Sequence, residues 1–368
     1  MSAEAAVLSQ RVAAVERSPS RVLGALRSAW AVTTLVLLLA VLAAVPFVNV
    51  LVFGYLLEAQ GRLARGERLR AAFAGFDELP RLGGALVLSW LWVFPVRLLA
   101  NAVTDAELIV PGHAGALSMV RWAVAALVGL HLVLGWAKGA RPGDLLRPWR
   151  TIRWGLEKLR GFAAPSEPWR FDASLARIAW LGVVGLLTSL AWLAIPVGLL
   201  ILSRAPPGHP PLGVLGGALL LPVLAWLPLM QVRLAQTGRW RAAFDWRGAR
   251  AVAAAAPVAT AAALAALYVF TLPLYLLKAV LPPSDAMWVV TLVFIVTVLP
   301  MRIVIARSCA RGVRRGAAAG WFARWAPRLV LVPLLIAYVV VLYLTPLIDS
   351  HGTAGLLAQH ALLLPAPF

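Results

Sequence analysis

The chain has 368 residues, 61% of them hydrophobic, with a mean hydropathy of +0.84 and only 13% charged. A soluble domain of this size needs far more polar residues to cover its surface, and a disordered or collagen-like chain is excluded by the same apolar content, so lipid faces most of the molecule. The charge is one-sided, 34 Lys and Arg against 15 Asp and Glu, and the single cysteine, Cys309, excludes intramolecular disulfides, Cys-rich zinc sites and CxxC redox chemistry.

Crossing a hydrocarbon core about 30 Å thick takes about 20 residues. Uncharged runs of sufficient length occupy residues 28–57, 178–203, 212–232, 251–277 and 329–348. Three more, 82–104, 116–137 and 286–306, contain one Arg each: Arg97, Arg121 and Arg302. Eight crossings are predicted, and the fold class is an all-α polytopic transmembrane helical bundle. The segments 58–81, 138–177, 233–250 and 302–328 hold 26 of the 34 Lys and Arg, while the alternating segments hold almost none. By the positive-inside rule the first set is cytoplasmic.

The N-terminus breaks this pattern, because parity places it outside although it carries Arg11, Arg17, Arg21 and Arg27. Either a short basic tail is translocated, or the long first segment enters and returns near Pro46. A cleaved signal peptide fits less well, since the polar lead is too long for an n-region and the apolar run too long for an h-region.

Arg68-Leu69-Arg70-Ala71-Ala72-Phe73 recurs as Arg239-Trp240-Arg241-Ala242-Ala243-Phe244, 171 residues later and after a span each time. Phe94-Pro95 is echoed by Leu272-Pro273, Ile195-Pro196 and Thr345-Pro346. Two parallel four-helix repeats account for this. The expected organisation is a basic polar tail at 1–28, a first four-helix repeat at 29–203, a second at 212–348, and an extracytoplasmic C-terminal tail at 349–368.

Within 144–162, Leu145, Trp149, Ile152, Leu156 and Leu159 step by 4, 3, 4 and 3 residues onto one helical face, with Arg147, Arg150, Arg153 and Arg160 elsewhere. Trp and Arg interleave again at 239–247, with Arg239, Arg241 and Arg247, and at 321–328. Such basic interfacial helices lie in the headgroup region, so the expected partners are membrane lipids, especially anionic headgroups on the cytoplasmic side. Topology-setting anchorage is the alternative role. Nucleic-acid binding would need a basic aromatic surface free of the bilayer and is not expected.

No Asp or Glu lies inside a predicted hydrocarbon segment, which leaves Arg97 and His131 as the deep ionisable groups; snorkelling or helix packing accounts for both. His113, His209, His351 and His360, with Asp105, Glu107, Asp285 and Asp349, fall on the predicted outer side without metal-ligand spacing, so no metal and no cofactor are expected. Gly213 and Gly217 form a GxxxG for close helix contact, within the monomer or between copies. Trp90, Trp92, Trp192 and Trp226 lie deep in their spans, as packing residues or as the lining of a cavity.

Pro46-x-x-Asn49, Gly54-Tyr55, an Arg-rich stretch and Leu79-Pro80 resemble the opening of an uncharacterised family of prokaryotic multi-pass membrane proteins, over roughly residues 40–100. The resemblance implies topology and no catalytic residues. Together these features point to a bacterial inner-membrane protein that handles or senses lipid or other apolar compounds. A secondary transporter with a site at the interface of the two repeats, and a membrane-embedded lipid-modifying enzyme, are the alternatives.

Overall fold

The computed structural model describes residues 3–112, 114–161, 174–206, 208–279, 287–349 and 352–363, with side chains from residue 22 onward except at 276, 278, 279 and 287. The α-helices in chain order are α1 (Ala3–Ala43), α2 (Val48–Ala64), α3 (Leu69–Ala72), α4 (Leu79–Ile109), α5 (Gly115–Ala137), α6 (Pro142–Leu145), α7 (Pro148–Leu159), α8 (Leu175–Leu202), α9 (Pro210–Thr237), α10 (Trp246–Ala255), α11 (Pro257–Thr271), α12 (Met287–Arg315) and α13 (Trp321–Leu344). No strand occurs among the described residues. Eight helical stretches are long and apolar enough to cross a membrane, and side chains such as Ile195, Val214 and Leu329 remain about 70% exposed or more along them, as lipid-facing residues do. The chain is an integral, multi-pass α-helical membrane protein.

Two compact units form, one from residues 1–35 and 75–171, the other from 36–74 and 172–368. This division does not follow the expected repeat halves 29–203 and 212–348, because α2 and α8 pack with the second half of the chain.

In the first unit, α4 and α5 pair, and α6 and α7 close against them. The Trp30 indole donates to the Pro80 carbonyl, and Gly83 leaves room for Thr34. His131, fully inside, ties α5 to the α6–α7 segment. Its Nε2–H donates to the Leu145 carbonyl at 2.9 Å, while Nδ1 meets the Thr151 hydroxyl at 2.7 Å. Because a carbonyl only accepts, the proton must sit on Nε2. Trp92 donates to the same carbonyl at 2.8 Å, so two of the deep polar groups serve packing.

The amphipathic segment 144–162 is not one continuous helix. Pro148 lacks an N–H and pushes Arg147 out of the helical region, to φ −124° and ψ 85°, so α6 ends and α7 begins afresh. Leu145 is consequently fully buried rather than on the apolar stripe. Phe162 lies outside the described residues.

In the second unit, α8 and α9 form an antiparallel hairpin, and α2, α11, α12 and α13 pack around it. The first apolar run is two helices. Phe47 adopts φ 64° at a turn over residues 44–47, which contain Pro46. Ala40 accepts a bond from Thr291 at the start of α12, whereas Gln60 meets Arg302 eleven residues farther along α12. Helix α2 thus runs in the same sense as α12, and Ala40 and Val48 lie at the same end, so the chain doubles back at Pro46. The C-terminal end of α2 meets Arg177 at the start of α8 and the Ala235 and Gln236 carbonyls at the end of α9.

Residues 352–363 do not trail from the bundle. Leu356, Gln359, His360, Ala361, Leu362 and Leu363 are all buried. The His360 ring packs on Tyr275 (4.5 Å) and Phe294 (5.7 Å), below a cluster in which Tyr275 and Tyr338 share a hydroxyl contact of 2.9 Å. The Leu362 carbonyl reaches the buried Arg302.

Glycine sets the closest helix contact. A methyl at Gly54 would fall on the Ile178 carbonyl oxygen, and one at Gly182 on the Val50 carbonyl oxygen. Backbone cannot yield as a flexible side chain can. Gly54→Ala and Gly182→Ala should therefore each destabilise by about 1–3 kcal/mol. Gly129→Ala, with open space around it, should not. Thermal midpoints in detergent check this.

Candidate functional site

The arginines expected at the headgroup level are all exposed, in two separate groups. Arg147, Arg150, Arg153 and Arg160 surround α7 in the first unit. There Thr151, Trp154 and Gly155 face inward, Gly155 against Leu134, and Trp149, Ile152, Leu156 and Leu159 form the exposed apolar stripe. Arg153 bonds Glu157 at 2.8 Å, a surface pair of small energetic weight. Arg239, Arg241 and Arg247 belong to the second unit, around the single 3-10 turn Trp240–Phe244 and the start of α10, with Trp240 and Trp246 exposed beside them. That turn and α3 share a local form: an extended Arg, Arg239 or Arg68, followed by one helical turn and a buried alanine.

A more enclosed site lies in the second unit between α9, α10, α11 and α13. Asp245 caps α10, its side chain accepting the Gly248 N–H at 2.8 Å and pairing with Arg233. Those partners, the Gly248 N–H first, hold the Asp245 carboxyl below its ordinary value. The capped helix carries Arg250 to one end of a cavity of about 230 Å³, where Arg324 and Arg328 arrive one turn apart on α13. Farther along α13 the lining becomes Leu331, Val332 and Leu335, facing Leu264 and Leu229. Over those eleven residues, about 16 Å, the wall passes from cationic to apolar. Two polar atoms in the lining are buried without a hydrogen-bond partner among the described residues: the Arg324 Nε–H and the hydroxyl of Thr260, a residue 3% exposed. Buried polar groups are normally satisfied, so these point to an absent acceptor.

Trp226 lines this cavity, whereas Trp192 stacks on Phe244 and donates to the Ala243 carbonyl. Sequence reading singled out the Trp and Arg of 321–328 but not their convergence with Arg250. The i, i+4 spacing of Arg324 and Arg328 was the available signal; their meeting with α10 depends on tertiary packing.

A second polar cavity, of about 420 Å³, surrounds Glu58. Sequence reading ended the first span at Leu57, yet Glu58 is 4% exposed inside α2. Its carboxylate meets Arg62 at 3.1 Å, Arg65 at 3.7 Å and Arg177 at 2.7 Å, so three guanidinium groups share one buried carboxylate. Gly213 packs against Ser203 and Tyr343, and Gly217 against Val339, so this GxxxG serves contacts within the chain. Of the outer-side candidates, His113, Asp285 and His351 lie outside the described residues. His360 is in the core, and among the described residues no three His, Cys, Asp or Glu side chains gather where a metal could sit.

The depressed Asp245 carboxyl gives the cap a pH signature. A group whose folded value is lowered stabilises above its unfolded value, near 3.8, and that stabilisation is lost as pH falls through the folded value. The melting midpoint should therefore drop below about pH 4, and Asp245→Ala should show a smaller drop over the same range because it has no cap to lose.

Compared with family models, with curated proteins and with solved structures, the chain has no match.

Proposed function

We propose that this protein binds anionic phospholipid on the basic side of a bacterial inner membrane, with the phosphate at Arg250, Arg324 and Arg328 and an acyl chain along the apolar wall behind them. The observation that carries this reading is the convergence of three arginines from two helices at one end of an otherwise apolar cavity, beside two buried and unpartnered donors. Phosphate is the acceptor such a cluster suits, since guanidinium groups grip its oxygens in pairs and charge-assisted bonds are the strong ones. A cation-to-apolar gradient about 16 Å long has the polarity of a lipid rather than that of a soluble ion. The exposed arginines and tryptophans around α7 and α10 support the same reading, because a basic amphipathic face attracts anionic lipid to its surroundings.

The reversal at Pro46 supports a topology with the N-terminus in the cytoplasm. With α1 and α2 as a pair, Arg11, Arg17, Arg21 and Arg27 join the side that holds the other basic segments, and the exception to the positive-inside rule disappears. A reporter fused at the N-terminus should report the cytoplasm, and one fused after Gly208 the periplasm; a periplasmic N-terminus would refute the paired arrangement.

The lipid site is tested by native mass spectrometry of protein released from mixed phosphatidylglycerol and phosphatidylcholine. The wild-type chain should retain phosphatidylglycerol preferentially. Replacing Arg324 and Arg328 with Gln should lower its apparent affinity about thirtyfold if each guanidinium contributes about 1 kcal/mol. Equal retention by the wild type and the double variant would dismiss the groove as the site.

A further inference from the structure

Arg302 is a cation at the middle of α12, 2% exposed, with no carboxylate paired to it among the described residues. Its Nη1 donates to the Oε1 atoms of Gln60 at 3.1 Å and Gln231 at 3.4 Å, and its Cζ lies 5.0 Å from the Phe53 ring centroid. Ionisable groups at such depth are expensive and usually functional.

The geometry of its remaining edge is specific. Nε–H and the neighbouring Nη2–H point the same way and form the fork that grips both oxygens of a carboxylate. Here Nη2 donates to the Leu362 carbonyl at 3.1 Å, while Nε has no acceptor among the described residues. Gln231 Nε2 donates to that same carbonyl oxygen at 2.9 Å and to Ser189 Oγ at 2.9 Å. Donors from two helices thus converge on one neutral oxygen, and half of the fork stays empty. A peptide carbonyl supplies a single oxygen with a partial charge; a carboxylate would supply two and a full one.

The segment that supplies this oxygen is short and lies outside the helices, although its side chains are buried. Residues 358–363 follow the 3-10 stretch Gly352–Leu357 without regular structure. The Gln359 side chain donates to the nearby Leu356 carbonyl, and its buried Oε1 lacks a partner among the described residues. Gln60 and Gln231 stand 171 residues apart, the spacing of the Arg68 and Arg239 motifs, so the arginine is held by corresponding residues of two similar segments.

We infer that Arg302 and Gln231, steadied by Gln60, form a binding site for a carboxylate, and that residues 359–363 are its displaceable plug. Carboxylate binding expels the Leu362 carbonyl and frees the tail.

The test uses the full-length protein in nanodiscs. Amide exchange over residues 359–363 is followed as sodium acetate, a water-soluble carboxylate, or sodium laurate, a membrane-soluble one, is added against sodium chloride at equal sodium. Exchange should rise severalfold with one carboxylate and not with chloride; a response to acetate identifies a water-borne acid, and a response to laurate alone a lipid-borne one. Arg302→Lys keeps the charge but not the fork, and should need about tenfold more carboxylate for the same response. Independently of that variant, a chain ending at Ala358 should be thermally stabilised by the same carboxylate more than the full-length protein is, because it has no plug to displace. Unchanged exchange with both carboxylates, an equal response to chloride, an unshifted Arg302→Lys response, or a truncated chain indifferent to all three salts would each overturn the proposal.

Discussion

The burial of one guanidinium organises the second unit. A charge removed from water and left without a counter-ion is tolerable only when the groups around it turn their oxygens inward. Arg302 imposes that demand on three parts of the chain far apart in sequence: Gln60 on α2, Gln231 on α9 and the Leu362 carbonyl of the C-terminal segment. Gln60 returns the contact by donating to the Arg302 carbonyl at 3.2 Å, and Gln231 extends it to Ser189 on α8. Four helices and the tail are thereby referenced to one side chain.

Elsewhere charge is handled differently. Glu58, two residues before Gln60 on α2, is shared by three arginines. The arginines of α7 and of 239–247 stay at the surface, where water or headgroups solvate them. At Arg250, Arg324 and Arg328 cations gather at one end of an apolar cavity, and the Arg324 Nε–H has no acceptor among the described residues, which is why the lipid reading rests there.

Much of the bundle was legible in the sequence because lipid imposes a length and a composition on each crossing. The runs 178–203 and 212–232 correspond closely to α8 and α9. What escaped was set by local backbone chemistry or by contacts distant in sequence. Pro46 and Phe47 divide an apolar run that composition alone reads as continuous, and Pro148 splits an amphipathic pattern whose periodicity is otherwise unbroken. The Arg-Ala-Ala-Phe repeat was visible, but its extension back to Gln60-x-Arg62-Leu63-Ala64 and Gln231-x-Arg233-Leu234-Ala235 gains meaning only when both glutamines are seen on Arg302. Arg302 itself read as a residue bounding a span. Nothing in its neighbours on α12 indicates that its partners come from 60, 231 and 362.

The shortness of α2 has a consequence for how the molecule is assembled. Its 17 residues extend about 26 Å, less than the roughly 30 Å of a hydrocarbon core, and every position from Leu56 to Ala64 is buried. Such a helix, with Glu58, Gln60 and Arg62 in its second half, cannot meet lipid on its own terms; α8, α9 and α12 supply its solvent instead. All three are synthesised more than a hundred residues later. Residence of α2 in the bundle is therefore coupled to completion of the chain, and a nascent protein lacking α12 holds an early hairpin whose returning arm has no stable home.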